Sequence, residues 1–188
     1  MAWLTQSQLA AMGFAALGTN VLLSDRASYY NCAHIRFGSN VRVDDFCVLS
    51  AGTGGIVIGD HVHIAVFSLL VGAGRIELAD FSSLSSRVSV YSSNDDYSGE
   101  TMTNPTVPKA FTGVVHADVF LGRHVIVGSG SVILPGVTLQ EGAAVGALSL
   151  VNRDCQAFGI YMGVPVKQIN IRKQNLLELE KSLRGRSS

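Results

Sequence analysis

Charge is scarce in this chain. Only 15% of its 188 residues are charged, and Lys+Arg and Asp+Glu balance at 14 each. A net charge of zero excludes recognition of nucleic acid through a basic field, and equally an acidic interaction tail. Cysteine is sparse too. Cys32, Cys47 and Cys155 are an odd number without C-x-x-C spacing, which argues against a disulfide framework or a zinc knuckle and fits a reducing compartment. No basic residue precedes Arg26, so the positive n-region of a secretory signal is missing. The apolar run from Leu9 to Leu17 is too short to span a bilayer. These absences predict a cytoplasmic protein with no membrane insertion and no nucleic-acid partner.

Hydrophobic residues and glycine are plentiful. Hydrophobic residues make up 47% of the chain, glycine contributes 20 positions, and mean hydropathy is +0.32, which excludes disorder. The length suits one domain with a real core. So little charge on so small a protein predicts that partner subunits cover much of its surface.

The chain is built on a repeat. Taking Phe37–Arg42 as one unit, further units begin at Val43 and Leu49, then Ile58, Ile64 and Leu70, then Leu78, Leu84 and Val90. After a break they resume at Leu121, Val127 and Ile133, then Leu139, Val145 and Val151, giving fifteen hexads opened by an aliphatic residue or Phe. Their fifth positions (Val41, Cys47, Val62, Ser68, Ser82, Val88, Val125, Ser131, Val137, Ala143, Ser149 and Cys155) are all small or β-branched. A period of six fits neither an α-helix nor a hairpin meander. It fits short strands joined by tight corners, three per coil, in a triangular parallel β-solenoid.

Over roughly residues 35–170 this pattern resembles the hexapeptide-repeat acyltransferases, whose coils wind left-handed. The resemblance implies an all-β fold, a left-handed parallel β-helix with short terminal helices and one long loop. It also implies an acetyl-CoA donor and a homotrimer with its sites at subunit interfaces. The expected organisation is an N-terminal capping helix over 1–20, the β-helix over 21–168 with an inserted loop over 94–120, and a C-terminal helix and tail over 169–188. Thr5 and Gln8 offer a capping box for the first helix, with Gly18 as its stop. Leu176, Leu177, Leu179 and Leu183 give the last helix an apolar face suited to capping exposed coil edges. Extra residues occur only after third hexads: after Leu49, after Leu70, and at length after Val90. All of them therefore project from one corner, and the longest is the prime candidate for a functional loop.

Acyl transfer needs a base for the acceptor proton, and histidine is the usual one. In the maltose and galactoside acetyltransferases the catalytic histidine ends a third hexad. The matching hexad here, Val90–Asp95, ends in Asp95. Two readings follow: Asp95 is the base or a substrate-orienting carboxylate, or His63, which ends the hexad one coil earlier, supplies the imidazole. His34, His61, His116 and His124 are read as structural or surface residues, with no metal site. Asn94, Asp96 and Tyr97 complete a candidate acceptor loop.

The family's sugar-contacting asparagine and aspartate fall on Ala65 and Gly72. The stretch from Tyr91 to Gly99 resembles a branch associated with surface-polysaccharide biosynthesis. On the donor side, Gly163-Val164-Pro165-Val166-Lys167 resembles the family's Gly-x-Pro-Ala-Lys ending. Ser129, Gly146, Ala147, Asn152, Arg153 and Lys167 map onto positions lining the coenzyme A groove. The expected activity is O-acetylation of a sugar or oligosaccharide hydroxyl from acetyl-CoA. The alternative is N-acetylation of a nucleotide-linked amino sugar.

Overall fold

The computed structural model describes residues 2–185, so the outermost residues of both expected end segments lie outside the described residues. Three parallel sheets form the walls of a triangular β-helix, and a short antiparallel hairpin leaves one corner. The first sheet has six strands, from Ala16–Leu17 through Ile35–Phe37, Ile56–Ile58, Ile76–Leu78 and Val119–Leu121 to Thr138–Leu139. Each residue that opens a first hexad pairs in register with its counterpart one coil away, as in Ile58 with Leu78 and Leu78 with Leu121. Second and third hexads build the other two walls in the same way. The fifteen opening residues are all buried, and burying a Leu, Ile or Val side chain contributes about 1.5–3 kcal/mol.

Corner geometry explains the other conserved spacing within the hexad. The fourth residue takes a left-handed backbone conformation, with φ between 54° and 63° at Asn40, Phe46, His61, Phe67, Phe81, Arg87, His124 and Leu148. For residues other than glycine that conformation costs roughly 1–2 kcal/mol each. Ring stacking from coil to coil offsets part of the cost, since such pairs contribute about 0.5–1.5 kcal/mol. Phe46 stacks on Phe67 at 5.0 Å between centroids. His61, Phe81 and His124 form a continuous ladder at 4.8 and 5.0 Å. The fifth residue then points into the corner, where all twelve small side chains are buried.

Both ends differ from the sequence expectation. The helix Gln6–Ala11 has the capping box of Thr5 and Gln8 and buries Leu9. It stops at Ala11, however, and Gly18 already lies beyond the first solenoid strand. A full coil through Leu17, Leu23 and Tyr29 pairs with Phe37, Val43 and Leu49, so the β-helix starts inside the segment expected to be a cap. At the other end, Gly159–Met162 turns back through a cis Val164–Pro165 bond into the antiparallel strand Lys167–Ile171.

The following helix, Asn175–Arg184, half-buries Leu176 and Leu177 and leaves Leu179 and Leu183 exposed. It docks through Glu180, which is buried against the flank of the solenoid. There Glu180 accepts from His124 Nε2 at 2.6 Å, from Arg184 Nε at 2.7 Å and from Arg123 at 3.1 Å. Burial pushes the Glu180 carboxyl up. The hydrogen bonds from His124 and Arg184 and the charge of Arg123 outweigh this and hold it below the usual carboxylate range.

Two predictions follow from this packing. Ser82 Oγ is buried with no hydrogen-bond partner among the described residues, and the residues above and below it in the corner column are Val125 and Val62. Ser82→Val should therefore raise stability by about 1 kcal/mol in chemical denaturation, because a stranded hydroxyl is removed from an apolar column. The second concerns pH. Because the folded-state pKa of Glu180 is depressed, its contribution is fully present above the unfolded value of about 4.3 and is lost as pH falls through the lower folded value. Amide protection in residues 175–184, measured relative to intrinsic exchange at each pH, should fall below about pH 4 in the wild type, and Glu180→Gln should remove that loss of protection.

Candidate active site

All insertions leave the corner that follows the third sheet, and the longest creates a cleft there. Its first strand, Ser93–Asn94, pairs antiparallel with Val115–His116, so the loop leaves and rejoins the solenoid at one point. Between these strands the chain makes a 3-10 turn over Lys109–Phe111 and a bridge from Met102 to Thr112. A cleft of about 730 Å³ opens between the loop and the solenoid. Val71, Gly72, Ala73 and Tyr91 form its floor, and Asn94, Asp95, Asn104, Pro105, Val107, Lys109, Thr112, Val114 and His116 also line it. Gly72 has a φ of +143°, and a Cβ there would run into Ser92. This position admits only glycine, which accounts for the missing family aspartate.

Of the candidate acceptor residues, Asn94 and Asp95 reach the cleft; Asp96 and Tyr97 are not among its lining residues. Asp96 is spent on the loop itself. Its carboxylate accepts from the backbone N–H groups of Ser98 and Thr101 and from both hydroxyls, at 2.6–3.0 Å. Hydrogen bonds from Ser98, then those from Thr101, hold its carboxyl far below the usual range. Tyr97 is 87% exposed.

His63 lies on the second wall, paired with Arg42 and Ser83, and is not among the cleft's lining residues. Its Nε2 is 2.9 Å from Oδ2 of the buried Asp44, which also accepts from Arg42 Nε at 2.7 Å. Burial raises the Asp44 pKa, but hydrogen bonds from Arg42 and His63 prevail and keep it below normal. Within one chain, His63 and Asp95 are not brought together.

The donor-side candidates divide between two corners. Ser129, Gly146 and Ala147 are successive rungs of the corner between the second and third walls, where Leu148 N–H donates to the Ser129 carbonyl. Met162 covers Gly146, and Lys167 pairs with Met162, so the strand carrying Lys167 runs beside this corner. Asn152 and Arg153 are exposed on the next corner, the one that carries the cleft at lower coils.

Ser93, to which the sequence assigns no role, and His116, which it assigns to structure or surface, complete the cleft. Ser93 Oγ accepts from Ala73 N–H and lies 2.7 Å from His116 Nδ1. The available signal was positional: Ser93 immediately precedes the Asn94-Asp95 pair, and His116 is the only histidine in the loop. Among the described residues no three His, Cys, Asp or Glu side chains converge as a metal site requires, and no helix is long and apolar enough to cross a membrane.

A triangular parallel β-helix with a loop-walled cleft at one corner defines the architecture of the hexapeptide-repeat enzymes. Comparison with known proteins identifies the family. No protein-family model matches the chain. It is 54% identical over 180 residues to the dTDP-4-amino-4,6-dideoxy-D-glucose acyltransferase of Escherichia coli, covering 96% of this chain and 94% of that one. It also superposes on AntD, an N-acyltransferase from Bacillus cereus, in complex with dTDP-4-amino-4,6-dideoxyglucose and coenzyme A. The TM-score is 0.93 at 41% identity, over 98% of both chains. A second AntD structure, with dTDP and 3-hydroxybutyryl-CoA, matches with a TM-score of 0.94 at 42% identity, covering 99% of this chain and 98% of that one. The chain belongs to the hexapeptide-repeat acyltransferases, and it is an enzyme that draws acyl groups from coenzyme A thioesters. The expectation of O-acetylation of a sugar hydroxyl is overturned by the same comparisons, because these relatives act on or bind an amino sugar linked to a nucleotide.

The role of Asp96 in ordering the loop is testable. Asp96→Ala should accelerate amide exchange over residues 98–101 and raise the acceptor KM by about tenfold, the scale of several lost hydrogen bonds, with little change in melting temperature. A large fall in melting temperature would show that the loop braces the solenoid instead.

Proposed function

We propose that this enzyme is an N-acyltransferase that moves an acetyl group from acetyl-CoA to the 4-amino group of dTDP-4-amino-4,6-dideoxyglucose. The observation that carries this reading is the near full-length likeness to the Escherichia coli enzyme named for that sugar. The chemistry of the cleft agrees with it. The amine nitrogen attacks the thioester carbonyl, the C–S bond of the tetrahedral intermediate breaks, and coenzyme A leaves as a thiol carrying the proton that the amine gives up. A neutral amine is a far better nucleophile than a hydroxyl, so the step needs a carboxylate to hold the nitrogen and take its proton rather than an imidazole to activate oxygen. Asp95 supplies that carboxylate, and Asn94 neighbours it in the same cleft. Val71, Pro105, Val107 and Val114 offer an apolar wall suited to the methyl group of a 6-deoxy sugar.

Ser129, Gly146, Ala147 and Lys167 stand on a different corner from the acceptor cleft, and Asn152 and Arg153 are on higher coils. This separation supports a homotrimer in which the donor groove of one subunit meets the acceptor cleft of its neighbour. In that assembly the small rungs let the pantetheine arm lie against backbone, while Arg153 and Lys167 serve the phosphates of coenzyme A. The enzyme would act in the cytoplasm, on a precursor for surface polysaccharide.

A thiol-release assay with acetyl-CoA tests the acceptor. Turnover is expected with the 4-amino nucleotide sugar and not with its 4-hydroxy counterpart; the opposite preference would restore the hydroxyl as acceptor. Asp95→Ala and Asp95→Asn should each lower kcat by about a hundredfold. His63→Ala is expected to cost less than about tenfold, because its Nε2 is already committed to Asp44. A hundredfold loss in His63→Ala would instead place that imidazole in the reaction from a neighbouring subunit.

A further inference from the structure

The acceptor cleft holds two groups that the transfer chemistry does not use, Lys109 and His116. The exposed Lys109 ammonium makes no ion pair among the described residues. His116 is governed by a short relay that begins in the solenoid. Ala73, on the cleft floor, donates its N–H to Ser93 Oγ at 2.7 Å, and Ser93 Oγ lies 2.7 Å from His116 Nδ1. A hydroxyl has one hydrogen to give. The Ala73 N–H takes up one lone pair of Ser93, and the hydroxyl faces His116 Nδ1 with that hydrogen and its second lone pair. A neutral imidazole that accepts at Nδ1 carries its proton on Nε2. In the tautomer in which Ser93 donates to Nδ1, the imidazole of this cleft-lining histidine presents an N–H donor at Nε2.

We infer that Lys109 and His116 form an anion-recognition wall for the diphosphate of a nucleotide-linked sugar, with Ser93 as the positioning residue that fixes the imidazole as a donor. The inference rests on the acceptor class proposed above. It divides the cleft by charge: Asp95 serves the amino group that reacts, and the ammonium and N–H donor serve the diphosphate that anchors. Lys109 contributes a charge-assisted contact and His116 a directed one. Coenzyme A also carries phosphates, so the two sources must be told apart.

The experiment measures equilibrium binding of dTDP, thymidine and coenzyme A to the intact enzyme by calorimetry, together with the kinetics of the amino-sugar nucleotide. Lys109→Met and His116→Leu should each weaken dTDP binding by about tenfold or more, leave thymidine binding unaffected and leave coenzyme A affinity unchanged. His116→Gln should regain most of the loss, since its amide donates where Nε2–H did, and kcat should follow the same order as binding. Ser93→Ala should fall between wild type and His116→Leu, because the tautomer is freed while the imidazole remains. Weaker coenzyme A binding with dTDP unaffected would assign the wall to the donor and overturn the inference. A His116→Gln variant as inactive as His116→Leu would also overturn it, by making the imidazole a base. Failure of the wild type to bind dTDP would instead refute the acceptor reading itself, and the inference with it.

Discussion

Registry between coils is the constraint on which this structure depends. Each opening aliphatic residue rests on its counterpart one coil below, in three columns that run through the core. Nothing in a column tolerates a change of spacing, so extra residues are accommodated only where they can leave without disturbing the stack. In this chain that place is the corner after the third wall, from which the insertions leave. The cleft therefore sits at the corner that the packing leaves open to insertion.

The corners meet the same constraint with a different device. A left-handed residue is required at the fourth position of nearly every hexad, yet the chain uses phenylalanine, histidine, arginine and leucine there as well as glycine. The columns of rings explain how this is tolerated: each unfavourable backbone angle directs a side chain onto the one above. His61 and His124 belong to this ladder and owe their positions to stacking. His124 additionally offers its outer nitrogen to Glu180.

The hexads were legible in the sequence because a strict period leaves a strong trace, and the core follows from it residue by residue. The coil through Leu17, Leu23 and Tyr29 was obscured by its half-exposed Leu17 and an aromatic in the third column, so the cap was drawn too long. In the last helix the leucines advertise an apolar face, but Leu176 and Leu177 are only half-buried, and the fully buried residue is Glu180 with its ionic contacts. In the cleft, Asn94 and Asp95 could be read from their place at the end of a hexad. Asp96 could not, since whether a carboxylate faces a ligand or its own backbone depends on the turn around it. The acceptor was misjudged for a related reason. Asp95 stands where hydroxyl-acting relatives carry histidine, and the sequence leaves Asp95 and His63 as alternatives for the base.

The C-terminal helix also bears on how the solenoid comes apart. A stack in which each coil touches only its neighbours would fray progressively from its ends. Here Arg184 reaches Asp80, Glu180 holds His124, and Arg172 donates to the carbonyls of His124 and Gly142. Those partners belong to three successive coils, fastened by one tail from outside. The terminal coil cannot peel away alone, because the segment that follows it is tied two coils further in. Loss of structure at this end should therefore be a single cooperative event spanning the three coils, which also carry Ser129, Gly146 and Ala147.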